Sequence, residues 1–310
     1  MFKPTAFIYS SHNRSEDIHR WWLVERALQD PLNKSILYLP MSMGSDEQQD
    51  YSWGTFRWYF NFYTKWGLEP RNFFWRDDMS RSDIDQLFDW LRNSQVVILG
   101  GGSSTLGMER YRALGEIYYG DANLFERILH ERQNKGLLTV GFSAGADQLC
   151  SYMMGAFESG SNNLQGFGLA HNIMATLHHD WGGEDSIKRG ASHFPQCMVF
   201  GLPNDSGLAV DQGYLDSGNI WQVIEFVLDK SWDIESEQFH IKTRSGMKIE
   251  HFYHDGRQWS FENGDRMVRV MSPDNHFQDA WILQANGRIY DYFSQNESLY
   301  PSIEAILASH

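Results

Sequence analysis

The sequence predicts an α/β fold: a mostly parallel sheet with helices on both faces, followed by a C-terminal antiparallel β-hairpin extension. The first part is predicted because short, uniformly apolar segments alternate with amphipathic helical segments. The extension is predicted because, beyond about residue 237, short alternating stretches are separated by X-Gly pairs that are typical of hairpins. We therefore divide the chain into an α/β domain, residues 1–236, and a β-rich extension, residues 237–310.

The first quarter of the chain alternates strands and helices. Apolar or β-branched runs predict strands at Thr5–Tyr9, Ser35–Leu39 and Asn72–Trp75. Apolar residues at helical spacing predict helices at Ile18–Leu28 and, rich in aromatic residues, Asp46–Trp66.

The next segments continue the alternation. Ser82 is a candidate N-cap for a helix over Asp83–Leu91, whose apolar residues recur at i, i+3, i+4 and i+7. Gln95–Leu99 is a continuous apolar strand. Helical patterns follow at Thr105–Leu114 and Asp121–Asn134.

A sharp strand-to-helix turn follows. The apolar run Leu137–Val140 predicts a buried strand, and Ala146–Cys150 has the pattern of a helix. Gly141 and Gly145 flank Ser143, as a turn without room for inward side chains requires. The pattern predicts that the Ser143 hydroxyl stands exposed at the start of a helix as a nucleophile; the alternative is a tight structural turn.

The Gln95–Leu99 strand ends in a triple-glycine turn. Because the sites of parallel α/β sheets lie at the carboxyl ends of the strands, this turn should lie near Ser143. We expect backbone N–H groups of Gly101, Gly102 and Ala144 to form an oxyanion hole. Two alternatives remain: a phosphate cradle, although the Lys-Ser/Thr ending of a P-loop is missing, and a flexible loop.

A serine hydroxyl needs a base to remove its proton, and histidine is the usual one. His178 ends the strand-like segment Asn172–Leu177 after the turn and is the first candidate; its neighbour His179 is the second. The candidate substrate-binding residues flank the glycine turn and the base: Ser103, Ser104, His179 and Asp180.

The remaining segments complete the two parts. Apolar runs at Met198–Gly201 and Gly207–Val210 flank a turn, and Trp221–Val227 has the spacing of an amphipathic helix. The extension is expected to cover a sheet edge, to contact a second subunit in a homodimer, or to overhang the site. Its alternating stretches are His240–Arg244, Lys248–Tyr253, Gln258–Phe261, Met267–Met271, Ala280–Gln284 and Arg288–Phe293.

Composition excludes several classes of protein. A net charge of −14 repels phosphate backbones, so no nucleic-acid partner is expected. The chain has neither an apolar run long enough for a membrane span nor a signal peptide, so we expect a cytoplasmic protein without a membrane partner. Cys150 and Cys197 form neither a disulfide framework nor a zinc site, and no metal or organic cofactor is predicted.

Three motifs in this order resemble the peptidase E and cyanophycinase family of serine peptidases, whose fold is like that of class I glutamine amidotransferases. They are the strand and triple glycine Val96–Gly102, the Gly-x-Ser-Ala-Gly-Ala turn Gly141–Ala146, and Gly166–Leu169 leading to His178. The resemblance extends over roughly Phe2–Gly213. It implies a serine nucleophile at Ser143 and a base at His178.

The resemblance also implies oxyanion donors at Gly101, Gly102 and Ala144. The chain departs from the family at the acid that supports the histidine. The family has a glutamate in the turn after the next strand, and Asn204 stands at that position. Asn204 can hold the imidazole tautomer but cannot compensate imidazolium charge.

Asp205, one position along, and Glu158, near another acidic position of the family, are the alternatives for the third member of the triad. The loop after His178 also departs from the family, because it carries Asp180, Glu184 and Asp185 where aspartyl-specific members have basic anchors. These acids favour a cationic group on the substrate, or they form a solvated acidic loop.

The leading hypothesis is therefore a serine peptidase-like hydrolase that cleaves a small peptide or isopeptide. One alternative is an α/β-hydrolase esterase whose histidine lies near the C-terminus, for example His276. The other is a non-catalytic ligand-binding or regulatory protein of the same fold, which Asn204 suggests.

Overall fold

The structure is a computed structural model that describes residues 2–11, 16–180, 182–229 and 248–310. Within these ranges the chain forms a ten-stranded sheet and a four-stranded sheet. The large sheet has the strand order β14-β13-β12-β9-β8-β1-β5-β4-β2-β3. Its parallel half consists of β1 (Ala6–Tyr9), β2 (Ser35–Leu39), β3 (Glu69–Asn72), β4 (Val96–Leu99) and β5 (Leu138–Phe142).

The prediction of a mostly parallel sheet is wrong for the large sheet as a whole. From β8 outward every neighbouring pair in the described residues is antiparallel, and β8 also runs antiparallel to β1. The segment expected to form a helix at Trp221–Val227 is instead part of a strand paired on both sides. The antiparallel half consists of β8 (Ser206–Tyr214), β9 (Ile220–Leu228), β12 (Arg266–Met271), β13 (Gln278–Leu283) and β14 (Ile289–Asp291).

The second sheet lies after the strand-to-helix turn in sequence. Strands β6 and β7 pair in parallel, and β10 and β11 extend the sheet in antiparallel fashion. The described strands of the C-terminal extension are antiparallel, as predicted, and they continue both sheets. The stretch His240–Arg244 and the division at residue 236 lie outside the described residues, so the two-domain division stays a prediction. The strands are β6 (Ile173–Leu177), β7 (Met198–Leu202), β10 (Ile249–Phe252) and β11 (Gln258–Phe261).

Helices cover both faces of the parallel half, as the sequence predicts. Alternate residues of each strand face opposite sides, so Ile8 and Leu39 belong to one apolar cluster, and Phe7 and Tyr38 belong to the other. The first cluster packs against α3 (Arg81–Asn93), α4 (Ser104–Tyr119), α5 (Leu124–Asn134) and α6 (Ala144–Leu149). The second packs against a π-helical segment, Ile18–Val24, that continues into α1 (Glu25–Leu28), and against α2 (Asp46–Phe62).

Several element boundaries differ from the predicted ones. Helix α3 begins two residues earlier than predicted because Ser80, and not Ser82, is the N-cap and forms a capping box with Asp83. Helix α2 ends at Phe62 and is followed by a 3₁₀ turn, Thr64–Trp66. The remaining helices are α7 (Met154–Glu158), α8 (Glu184–His193) and α9 (Ile303–Ala308). In the described part of the chain, none of the helices combines the length and apolarity needed to cross a bilayer.

A buried histidine connects the two sheets. His251 on β10 donates its Nδ1–H to the Val199 carbonyl oxygen at 2.8 Å, and its Nε2 lies 2.8 Å from the hydroxyl of Tyr292, which follows β14. Complete burial lowers the pKa of His251 to about 3, because the imidazolium would lose its hydration. The ring is therefore neutral in the folded protein near neutral pH.

This buried ring predicts acid sensitivity. The folded-state pKa lies below the usual 6.5, so the unfolded chain binds the extra proton first, and His251 lowers the free energy of unfolding as pH falls from about 6.5 toward 3. The loss is at most about 1.4 kcal/mol per pH unit. We expect His251→Gln to be less stable than the wild type at pH 7 but to lose less stability on acidification. Urea unfolding at several pH values measures both; parallel pH profiles for the two proteins would contradict the account.

Candidate active site

The strand-to-helix turn at Ser143 has the predicted geometry. Ser143 lies between β5 and α6 with φ 50° and ψ −115°, a conformation that costs a non-glycine residue about 1–3 kcal/mol. A Cβ at Gly141 would lie 2.2 Å from the Gly145 carbonyl oxygen, and one at Gly145 would lie 2.0 Å from the Leu99 carbonyl oxygen. Both glycines are therefore required by close backbone approach. Ser143 is partly exposed while its neighbours on both sides are buried.

The imidazole of His178 lies beside this hydroxyl. His178 follows β6 and has φ 55°, and its Nε2 is 3.1 Å from the Ser143 Oγ. The residue is exposed, so a bound molecule can reach both groups. The distance is within the range for a hydrogen bond between a nucleophile and its base.

The other ring nitrogen contacts Asn204. This residue is buried in the turn after β7, and its Oδ1 lies 2.7 Å from the His178 Nδ1. An amide oxygen can only accept, so Nδ1 carries the hydrogen and the Nε2 lone pair faces the Ser143 hydroxyl. The structure thus brings Ser143, His178 and Asn204 together in one hydrogen-bonded chain.

The alternatives for the third position lie elsewhere. Asp205 is buried with φ 59°, and its carbonyl oxygen accepts from the Asp229 N–H at 2.8 Å. Glu158, at the end of α7, is hydrogen-bonded to Ser186 and lies 3.6 Å from Arg189. These contacts place Glu158 against α8, whereas the Nδ1 of the imidazole is occupied by Asn204.

The triple-glycine turn packs directly against Ser143. A Cβ at Gly101 would lie 3.3 Å from the Ser143 Cβ, and one at Gly102, whose φ is +128°, would lie 2.2 Å from the Ser42 carbonyl oxygen. The turn is thus confined between Ser42 and Ser143, and position 102 has room only for glycine. Ala144 is the first residue of α6, where backbone N–H groups have no acceptor within the helix.

The side chains of the candidate substrate-binding residues have other contacts. The Ser103 hydroxyl accepts from the Leu106 N–H as the N-cap of α4, and the Ser104 hydroxyl hydrogen-bonds the Asp147 carboxyl group. His179 is buried, and its Nε2 lies 2.8 Å from a Glu250 carboxylate oxygen in the second sheet. Asp180 lies in the loop before α8, where its carbonyl oxygen accepts from the Gly183 N–H. His179 is therefore directed away from Ser143, and it is not an alternative base.

Sequence reasoning missed the role of the end of β1. The Tyr9 carbonyl oxygen accepts from the Ser143 N–H at 2.9 Å. The buried Ser10 hydroxyl accepts from the His178 N–H at 2.8 Å and donates to the Leu202 carbonyl oxygen at 3.1 Å. Tyr9, the last residue of β1, and Ser10, the residue after it, thus position Ser143 and His178. Their place at the carboxyl end of the predicted strand Thr5–Tyr9 was the available signal.

Asp147 is a second residue that sequence reasoning missed. Burial raises the pKa of its carboxyl group to about 7, although the Ser104 hydroxyl and the N–H groups of Met154 and Gly155 favour the ionised form. Met154 and Gly155 begin α7, so Asp147 ties the helix after Ser143 to the next helix. Its role is to position α6 and the turn.

Within the described ranges, no group of three or more His, Cys, Asp or Glu residues is arranged to hold a metal ion. His276, the histidine of the esterase alternative, has a highly exposed side chain 3.8 Å from Asp274. The imidazole that meets Ser143 is that of His178.

Comparisons with known proteins assign no family. No family model matches the chain, and no curated protein matches it. Among solved structures, the chain is similar to the crystal structure of a peptidase from an acI-B1 actinobacterium, with 13% sequence identity and a TM-score of 0.49. The match covers 83% of this chain and 96% of that chain. Membership of the peptidase E and cyanophycinase family remains a prediction from the motifs.

The Ser10 contacts predict a defect in reactivity without loss of the fold. Ser10→Ala leaves the partly buried His178 N–H without its acceptor and the Leu202 carbonyl oxygen without the Ser10 donor. The loss costs about 1–3 kcal/mol and loosens the backbone that holds His178. We expect the reaction of Ser143 with a fluorophosphonate to slow by about 10-fold or more. Ser35→Ala is the matched control, because Ser35 is also buried and its hydroxyl hydrogen-bonds the Asn33 side chain. Ser35 begins β2, which is separated from β1 by β5 and β4 in the sheet. Equal labelling rates for the two variants would contradict the positioning role of Ser10.

Proposed function

We propose that this protein is a serine-type hydrolase that cleaves an amide bond in a small peptide or isopeptide. One observation supports this most strongly: the Ser143 Oγ lies 3.1 Å from the His178 Nε2, while the His178 Nδ1 lies 2.7 Å from the Asn204 Oδ1. A serine oriented by a backbone turn, next to a tautomer-fixed imidazole, is the arrangement that acyl transfer requires. The substrate class follows from the motif resemblance and not from the geometry.

In the first half of the reaction, the Ser143 Oγ attacks the carbonyl carbon of the amide while His178 takes the hydroxyl proton at Nε2. The carbonyl oxygen becomes an anion, and the N–H groups of Ala144 and the Gly101–Gly102 turn would stabilise it. Collapse of this intermediate breaks the C–N bond, and the imidazolium gives its proton to the leaving amine. An ester between Ser143 and the substrate acyl group remains.

In the second half, His178 removes a proton from a water molecule, which attacks the ester carbonyl. The C–O bond to Ser143 breaks, the serine oxygen regains a proton from His178, and the carboxylic acid product leaves. Asn204 keeps Nδ1 protonated throughout, so that Nε2 is always the nitrogen that exchanges the proton.

Substitution of the two reacting side chains tests the proposal. Ser143→Ala removes the attacking oxygen and His178→Ala removes the base, so each should lower kcat for amide hydrolysis by about 10⁴-fold or more. The double variant should lose no more than the single variants, because the two groups act as a unit. A panel of small peptides and isopeptides, including ones with cationic side chains, provides the substrates. Full turnover by Ser143→Ala would disprove the proposal.

Asn204 gives a second test with opposite outcomes. Asn204→Asp replaces a neutral hydrogen-bond acceptor with a charged one, which stabilises the imidazolium formed during the reaction by about 1–1.5 kcal/mol more than the amide does. We therefore expect kcat to rise by about 10-fold. Asn204→Ala removes the hydrogen bond that fixes the tautomer, and kcat should fall by about 10-fold or more. Steady-state kinetics on one substrate measures both changes. If both variants kept the wild-type kcat, the proposed role of Asn204 would be wrong.

The amide at position 204 also favours one alternative: a ligand-binding or regulatory protein in which the site binds a ligand but does not catalyse its hydrolysis. That function requires the wild-type protein to bind a peptide without hydrolysing it and to leave Ser143 unlabelled by a fluorophosphonate. Restoration of labelling by Asn204→Asp alone would identify the missing carboxylate as the cause.

A further inference from the structure

Helix α2 has an exposed aromatic face on the side opposite the core. Its buried residues, among them Phe56 and Phe60, pack against the sheet. On the outer side Tyr51 is 76% exposed, Trp58 68% and Phe62 56%, and Trp66 in the following 3₁₀ turn is 48% exposed. Large aromatic side chains that are half exposed or more are costly in water, and a run of them along one helix marks an interaction surface.

A glycine lies in the middle of this face. Gly54 precedes Trp58 by one helical turn, and a Cβ built at Gly54 would meet nothing within 4 Å. The fold of one chain therefore gives no reason for glycine, which is the poorest helix former after proline. A missing side chain does provide a shallow recess in which a large side chain from another molecule can contact the helix backbone.

The face is complementary to itself in charge and in shape. Glu47 lies in the first turn of α2 on the same side as Trp58, and Lys65 follows the helix, with its Nζ 3.9 Å from the centre of the Phe62 ring. Two such helices, packed antiparallel about a two-fold axis at the level of residue 56, bring opposite features together. Trp58 of one copy meets Gly54 of the other, and Glu47 meets Lys65.

We propose that this face of α2 is the interface of a homodimer in which the two α2 helices pack antiparallel. A two-fold interface needs one self-complementary surface, and this face has one. The exposed aromatic side chains supply roughly 500 Å² per subunit, a large part of the about 800 Å² of a typical interface. The proposal does not depend on the hydrolytic function.

Sedimentation equilibrium of the full chain at micromolar concentrations tests the proposal. We expect a mass of twice 36.0 kDa for the wild type. Trp58→Ala should raise the dimer dissociation constant by at least about 30-fold, since a central tryptophan is the usual hot spot of an interface. Tyr214→Ala is the control: this aromatic residue is 74% exposed but lies at the end of β8, and its substitution should leave the dissociation constant unchanged.

Gly54→Leu separates the interface from the fold. In one chain the added side chain has open space and a better helix propensity, so the melting temperature of the monomer should stay the same or rise. In the dimer it fills the recess for Trp58, so dimerisation should be lost. A variant that is both stable and monomeric supports the proposal, whereas a stable dimeric variant overturns it.

Charge reversal tests the antiparallel direction. Glu47→Lys and Lys65→Glu should each weaken the dimer several-fold, because each creates two like-charge contacts across the two-fold axis, and the double variant should regain the wild-type dissociation constant. Additive weakening in the double variant would overturn the antiparallel arrangement. A monomeric wild type, or a monomer that binds phosphatidylcholine vesicles through Trp58, would overturn the homodimer itself.

Discussion

The candidate site depends on the backbone at the carboxyl end of β1. The Tyr9 carbonyl oxygen holds the Ser143 N–H, and the next residue, Ser10, holds the His178 N–H through its hydroxyl. Ser143 follows β5 of the ten-stranded sheet and His178 follows β6 of the four-stranded sheet, and the end of β1 contacts both residues. Because β1 is central and its residues are completely buried, these contacts fix the distance between hydroxyl and imidazole.

Backbone strain is concentrated at the same place. Ser143, His178 and Asp205 all have positive φ without being glycine, and each costs about 1–3 kcal/mol. Such conformations persist only where the surroundings hold them, and here the surroundings are the ends of β1, β5, β6 and β7. At Ser143 and His178 the strained backbone leaves the strand end with the two side chains facing each other.

Local motifs predicted Ser143 and His178, the centre of the candidate site. The features that were not predicted depend on pairing between strands that are distant in sequence. Ser143 was predictable because Gly141 and Gly145 meet backbone atoms too closely for any side chain. The segment Trp221–Val227 was predicted as an amphipathic helix from its apolar spacing, yet it belongs to β9, which pairs with β8 and β12 and is largely buried on both faces. Ser10 belongs to no motif, and only the sheet order brings it to His178. Glu158 was a candidate for the third member of the triad because of its position in the sequence alone, whereas its contacts in the fold are with α8.

The site of covalent attachment is the measurement that tests the central claim most directly. The full chain is reacted with a fluorophosphonate and digested, and the modified peptide is sequenced by mass spectrometry. The geometry predicts one adduct per chain, on Ser143, that forms only while the protein is folded. An adduct on a different serine of the folded protein, with Ser143 unmodified, would contradict the assignment of Ser143 and His178 as the reacting pair.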